Sequence, residues 1–247
     1  MKQRIKCLNG LQLKVLAMVC MVCSHMSSTV FWGMNWLNCI GRLAFPIFAF
    51  LVAEGFKHTK NVKKYLLRLF LFALVTELPF NLMSEGGLFY PFHQNVLFTF
   101  CIALLIMLWI EKVKGTSKTK FSLWVALAVI VGYLFGFVTF VDYFGYGVLM
   151  VLTFYLFHEY KYGWVAELAI MVFVNWELIG GLEFPMMLFG HEINIPQQGF
   201  AVFALIPIWL YNGKRGPSNK IIQYACYAFY PVHMLVLWLL MRLQINF

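Results

Sequence analysis

The sequence predicts an all-α, polytopic integral membrane protein of about nine to ten transmembrane helices, forming one transmembrane domain over residues 1–247. Three observations carry that expectation. The chain is 62% hydrophobic and only 12% charged, with a mean hydropathy of +0.77, which excludes a soluble globular domain. Apolar runs long enough to cross a hydrocarbon core of about 30 Å recur along its length. The basic residues fall in short clusters between those runs, in every second connection.

In order, the runs lie near 11–32, 37–56, 65–83, 95–112, 121–140, 143–159, 163–181, 198–212 and 222–242. Lys57, Lys60, Lys63 and Lys64 follow the second run, Lys112, Lys114, Lys118 and Lys120 the fourth, Lys161 the sixth, and Lys214, Arg215 and Lys220 the eighth. The alternate connections carry Glu85, Asp142, Glu177, Glu183 and Glu192 instead. The positive-inside rule then predicts a cytoplasmic N-terminus and, with nine crossings, an external C-terminus. A stretch around 184–190, interrupted by Pro185, is the candidate tenth element. Lys2, Arg4 and Lys6 ahead of the first run read as a signal anchor.

The formal charge of +9 is explained by those topogenic clusters, so no nucleic-acid partner is expected. Six cysteines, mostly inside apolar runs, imply no disulfide framework. Cys20, Cys23 and His25 point in different directions on a helix, so no metal is expected. Proline stands beside an aromatic residue at Pro46, Pro79, Pro91, Pro185 and Pro231, and each is expected to kink or end a helix. No internal repeat of the kind found in secondary transporters is legible.

Polar residues inside the apolar runs are the functional candidates. Lys14 and His25 lie eleven positions apart in the first run. On a helix they are about 16 Å apart along the axis and about 20° apart around it, and so share a face. A charge at the centre of a membrane helix costs at least ~2.5–3.5 kcal/mol, so such a stripe reads as lining a path or a site. The topology sorts the rest into two layers. A basic layer at the cytoplasmic end contains Lys14, Lys57, Lys60, Lys63, Lys64, Arg68, Lys214 and Arg215, with Glu54 as a partner; these residues read either as topology determinants or as a phosphate cradle. A mixed layer at the other end contains His25, Arg42, Glu77, Asn81, His93, Gln94, Asn95, Asp142 and Asn175, with His233 nearer mid-depth. Arg42 and Glu77 read either as a structural ion pair or as reactive groups, Gln94 or Asn95 as a helix cap or as substrate contacts, and His233 as a packing or a functional histidine. His58, His158 and His191 read as surface residues.

The chain resembles the TraX family, membrane proteins named for N-acetylation of conjugative pilin, and the resemblance runs over nearly its whole length. It rests on Leu13-Lys14-Val15, Ser24-His25-Met26, the block from Gly41-Arg42-Leu43 to Phe50, Glu54-Gly55-Phe56, Lys64 to Arg68, and Glu77-Leu78-Pro79-Phe80-Asn81. It continues through Phe92-His93-Gln94-Asn95 to Thr99, Asp142-Tyr143, Tyr211-Asn212-Gly213-Lys214-Arg215-Gly216 and Phe229-Tyr230-Pro231-Val232-His233. Related acyltransferase family 3 proteins, and the lysosomal heparan glucosaminide N-acetyltransferase, are similar in chemistry. In the former an arginine and a histidine separated by ten residues mark the first helix, a spacing Lys14 and His25 reproduce with lysine for arginine. Ser24 stands where the pattern leads one to expect an acidic residue beside the histidine, which leaves Glu77 or Asp142 to orient His25.

The resemblance implies an acetyl-CoA-dependent acyltransferase in a bacterial-type plasma (inner) membrane. Acetyl-CoA is the expected donor, its phosphates held by Lys14, Arg68, Lys214 and Arg215. His25 is the expected base, with Arg42, Glu77, His93 and Asp142 as the other catalytic candidates. Asn81, Gln94, Asn95 and His233 are the expected substrate contacts. The acceptor is a peptide or pilin amine or a surface-glycan hydroxyl or amine at the outer face. The rival functions are a transporter or lipid flippase using the same polar stripe, and a purely structural assembly protein.

Overall fold

The computed structural model describes residues 6–188 and 191–244; Lys2 and Arg4 of the expected anchor lie outside them. Four helices start on an asparagine. Asn9 and Gln12 cap α1 (Gly10–Ser28) reciprocally, each side chain accepting from the other's backbone N–H at 2.9–3.0 Å. Asn61 accepts from Lys64 N at the start of α4 (Val62–Ser84), and Asn95 from Leu97 N at the start of α5 (Val96–Val113). Asn219 accepts from Ile222 N in the first turn of the last helix, Lys220–Gln244. The first N–H groups of a helix have no acceptor within it, and a short polar side chain supplies one at each of these starts.

The second run is a broken helix. α2 (Asn35–Gly41) and α3 (Ala44–His58) are separated by Arg42 and Leu43, and Pro46 falls in the first turn of α3, where its missing N–H costs nothing. α6 (Lys118–Val138) and α7 (Phe144–Phe157) meet at a corner with three non-glycine residues at positive φ, Phe140, Tyr143 and Phe144. α8 (Gly163–Val172) widens into a π-helical stretch, Phe173–Ile179. Within it the Asn175 side-chain amide donates to the Met171 carbonyl at 2.8 Å, an acceptor that the regular α-helical ladder would otherwise use. A 3-10 turn, Gln197–Ala204, leads into α9 (Leu205–Trp209), and α10 (Lys220–Gln244) closes the chain.

Among the described residues, six helical stretches are long and apolar enough to cross a membrane: Gly10–Ser28, Asn35–His58, Val62–Ser84, Val96–Val113, Lys118–Val138 and Lys220–Leu243. The expected nine to ten is therefore not reached on length, because the runs at 143–159, 163–181 and 198–212 fold into shorter or mixed helices. The fold is mostly helical, and where a tenth crossing was expected around 184–190 the chain forms a short hairpin instead. Glu183–Leu188 (β1) and His191–Pro196 (β2) form an antiparallel hairpin, with Pro185 opposite Asn194. Six residues are too few to span, Glu192-Ile193-Asn194-Ile195 alternates with the period of a strand, and a two-stranded ribbon tolerates the donor that Pro185 lacks. Pro79 and Pro231 lie inside α4 and α10, neither of which ends there.

The main core lies among α3, α5 and α7, where Phe50, Ile47, Leu104, Met107, Met150 and Leu152 are at most 1% exposed. α6 packs on α7 through glycines: a Cβ on Gly136 would sit 2.8 Å from the Cα of Gly145, so only glycine permits the crossing. α1, α4 and α10 form a second group at one flank, joined by Phe80, Met83, Met234 and Leu237 with Met26 and Tyr230. Trp32 and Trp36, in and just after the α1–α2 turn, are exposed, as aromatic residues at a membrane interface are.

A histidine pair in line with a basic cluster

His25 lies in the last turn of α1, and its imidazole meets His233 of α10. Nδ1 of His25 is 2.8 Å from Nε2 of His233, and the ring planes are 4° apart. The orienting partner of His25 is thus His233, rather than Glu77 or Asp142. His233 Nδ1 lies 2.8 Å from the Phe229 carbonyl, which can only accept, so that nitrogen carries the proton. In the neutral pair its Nε2 must then accept from Nδ1–H of His25. This chain of two bonds leaves Nε2 of His25 with a free lone pair, the atom a general base or nucleophile needs.

Arg42 reaches this pair because α2 touches α1 backbone to backbone. A Cβ on Gly41 would lie 2.3 Å from Ser24 Cβ and 2.7 Å from Ser24 Cα, so Ser24 fills the place beside His25 against Gly41. The Arg42 guanidinium is close enough for its charge to act on the His25 ring. It does not pair with Glu77. Nη2 of Arg42 donates to Oε1 of Gln197 at 3.4 Å, and the Tyr143 hydroxyl is within hydrogen-bonding reach of Arg42 and Gln198. Glu77 instead accepts through Oε2 from the N–H and amide of Asn95, at 3.1 and 2.5 Å, and Asn95 caps α5 as well. Buried side-chain atoms with no partner cluster on these same elements: Arg42 Nε, Gln197 Nε2 and Asn38 Oδ1 on one side, and Glu77 Oε1, Asn81 Oδ1 and Thr76 Oγ1 on α4.

His93 belongs to a separate clamp. Its Nδ1 is 2.9 Å from Glu85 Oε1 and its Nε2 is 3.7 Å from Asp142 Oδ1. Asp142, then Glu85, stabilise the imidazolium against the opposing effect of burial and push its pKa up to about 9, so it is a cation at neutral pH. Gln94 is committed to the same corner: its main chain pairs with Phe140 and Asp142 and its amide donates to the Pro91 carbonyl.

At the opposite end of α1, Lys14 lies within electrostatic reach of Arg68, Arg215 and Cys226. Arg68 stacks over Tyr227 of α10 at 5.3 Å and Tyr65 at 5.9 Å. The 214–215 main chain is tied to the start of α1, with Gly10 N–H donating to the Lys214 carbonyl and Leu11 N–H to that of Arg215. Lys14 and His25 therefore both face α10, one at Cys226 and the other at His233. Three of the four expected phosphate ligands converge; Lys214 contributes its main chain. A 480 Å³ apolar groove between α4, α5 and α6, lined by Lys63, Phe70, Phe98, Cys101 and Phe135, lies away from the histidine pair.

Two further buried polar groups lie outside the expected site. His158 is no surface histidine: its Nδ1 is 2.8 Å from Oε1 of Glu167, which is 1% exposed and takes Trp209 Nε1–H on Oε2 at 2.7 Å. An acidic residue in the middle of an apolar run was the available signal. The side chain of His191 is outside the described set. Gln197, buried beside Arg42, carried no signal beyond following Pro196, because glutamine after proline is common in loops.

These features define a mostly helical polytopic membrane protein with a histidine pair between α1 and α10 and further buried polar clusters around it. The chain belongs to the TraX family, whose description, TraX protein, matches residues 9–241. It is similar to a protein of Dichelobacter nodosus named probable fimbrial assembly protein FimC, serogroup H1, with 29% identity over 243 residues, covering 93% of this chain and 94% of that protein. No solved structure matches it.

Proposed function

We propose that this chain is a membrane-embedded acetyltransferase that moves an acetyl group from cytoplasmic acetyl-CoA to an amine or hydroxyl presented at the outer face. The observation that supports it most is the lone pair left on Nε2 of His25 by the bond to His233, on the same α1 face as Lys14, which has Arg68 and Arg215 within electrostatic reach. The charges and aromatic faces of that cluster suit the phosphates of the donor, with Arg68 able to bind bidentately and Lys14 as a point charge. A thioester is already activated, so the protein's task is to position the acceptor, take its proton at His25 and stabilise the negative charge that develops on oxygen. On this reading the basic end faces the cytoplasm of a plasma membrane, α1 begins there, and α10 ends outside.

The named relative's role in fimbrial assembly favours a pilin-type peptide amine as acceptor over a glycan hydroxyl. The test is acetyl-CoA binding and thiol release by the purified protein in lipid nanodiscs. Wild type binds and slowly cleaves acetyl-CoA; Lys14→Gln weakens binding, and His25→Ala binds but does not cleave. A His25→Ala protein that cleaves at the wild-type rate sinks the proposal.

A further inference from the structure

Arg42 and Leu43 form the break between α2 and α3. Arg42 stands in it, positioned by the backbone contact between Gly41 and Ser24 and by bonds that use its Nη2 and face the Tyr143 hydroxyl. The corner that presents Tyr143 is strained: Phe140, Tyr143 and Phe144, none of them glycine, have φ values of 52°, 60° and 46°. It is held by the Asp142 carbonyl accepting from Thr99 Oγ1 at 2.6 Å, Asp142 N–H donating to Gln94 O at 2.8 Å, and Phe45 stacked on Tyr143 at 4.1 Å. Strain retained under that much constraint points to a side chain whose placement matters.

Gln197 comes to the same place from the far end of the chain. Its N–H donates to Leu182 O at 2.7 Å across the base of the β1–β2 hairpin, and neighbouring Gln198 is fixed by Asn175 at 2.9 Å. Gln197 is 5% exposed. Its Oε1 accepts from Arg42, and its Nε2–H₂ group has no formed hydrogen bond, with the Cys39 thiol within its reach. Nε of Arg42 is buried and unpartnered as well. A buried donor without a partner is destabilising, so two on directly bonded side chains mark a place suited to an oxygen atom that arrives later.

We infer that Arg42 Nε and Gln197 Nε2 form the oxyanion hole of the acetyl transfer, and that Gln197 is a catalytic residue. The inference rests on the acetyltransferase reading. As the acceptor's lone pair attacks the thioester carbonyl carbon, its proton passes to Nε2 of His25 and the carbonyl π pair moves onto oxygen, where the two donors hold it. When that pair returns, the C–S bond breaks with its electrons on sulfur, and the proton on His25 neutralises the thiolate. Both donors are fixed before the reaction, one carries a full positive charge, and Gln197 has at most a weak thiol contact to Cys39 to give up. His93 and Asn95 are committed elsewhere, to the Glu85 and Asp142 carboxylates and to Glu77.

The test uses the full chain in nanodiscs with acetyl-CoA labelled with carbon-13 at the carbonyl, read by infrared difference spectroscopy and by thiol release. In wild type the bound carbonyl band moves to lower frequency. Gln197→Ala and Gln197→Glu leave acetyl-CoA affinity and KM near wild type, return the band towards its free position and lower kcat by about 10²-fold or more. Gln197→Glu retains the volume and gains an ion pair with Arg42, so it folds even where the alanine is unstable. A wild-type band position and kcat in Gln197→Glu overturns the inference and leaves the acetyltransferase reading intact. A wild-type protein that neither binds nor cleaves acetyl-CoA overturns both.

Discussion

Gly41→Ala is the sharpest perturbation this architecture offers, because its cost can be read from distances. The new methyl would lie 2.3 Å from Ser24 Cβ, 2.7 Å from Ser24 Cα and 2.9 Å from Ser24 N. Carbon atoms pack at about 3.5–4.0 Å, so α2 must retreat from α1 by about 1.2 Å. Overpacking of this kind costs about 1–3 kcal/mol. The larger consequence is positional: Arg42 is the next residue, and a displacement of about 1 Å at a reacting centre costs on the order of 10²-fold in rate. Thermal unfolding in nanodiscs and thiol release from acetyl-CoA measure the two effects. Ser24→Gly in the same chain restores little, since the backbone atoms at 2.7 and 2.9 Å remain. Gly87→Ala, which meets nothing within 4 Å, is the neutral control. A Gly41→Ala protein with the wild-type melting temperature and rate refutes the claim that direct helix contact holds Arg42 in place.

Other expectations follow from individual contacts. His233→Ala removes the acceptor for His25 Nδ1–H and frees the tautomer, so thiol release falls at least 10-fold, and a double variant with His25→Ala is no slower than His25→Ala alone; strictly additive losses exclude the relay. The pKa of His93 is raised in the folded state, so its stabilisation is complete below about pH 6.5 and is lost as pH climbs through about 9. Melting temperature measured from pH 6.5 to 9.5 therefore falls in wild type and is flat in His93→Gln at that step. Asn95→Ala uncaps α5 and strands the Glu77 carboxylate, lowering stability by about 2–4 kcal/mol; denaturant unfolding that moves by less than 1 kcal/mol counts against the buried Glu77–Asn95 bond. Glu167→Gln weakens the His158 contact while keeping Trp209 bonded through its amide oxygen, so tryptophan fluorescence is retained and thermal stability drops.

What the sequence by itself determined was the solvent of this chain and the address of its polar groups. Apolar runs and alternating basic connections need only local composition, since transfer to a bilayer is additive residue by residue, and the spacing of Lys14 and His25 fixes their shared face through helix geometry alone. The capping role of Asn95 was legible for the same reason. The partners were not. That His25 meets His233 across 208 positions, that Arg42 turns to Gln197 instead of Glu77, and that Glu167 anchors His158 all depend on which helices become neighbours. That choice is made by close contacts such as Gly41 on Ser24 and Gly136 on Gly145, where the deciding quantity is a few tenths of an ångström between distant backbones. The hairpin at 183–196 and the π-helical turn at Asn175 were settled the same way, by hydrogen bonds whose partners local pattern does not name.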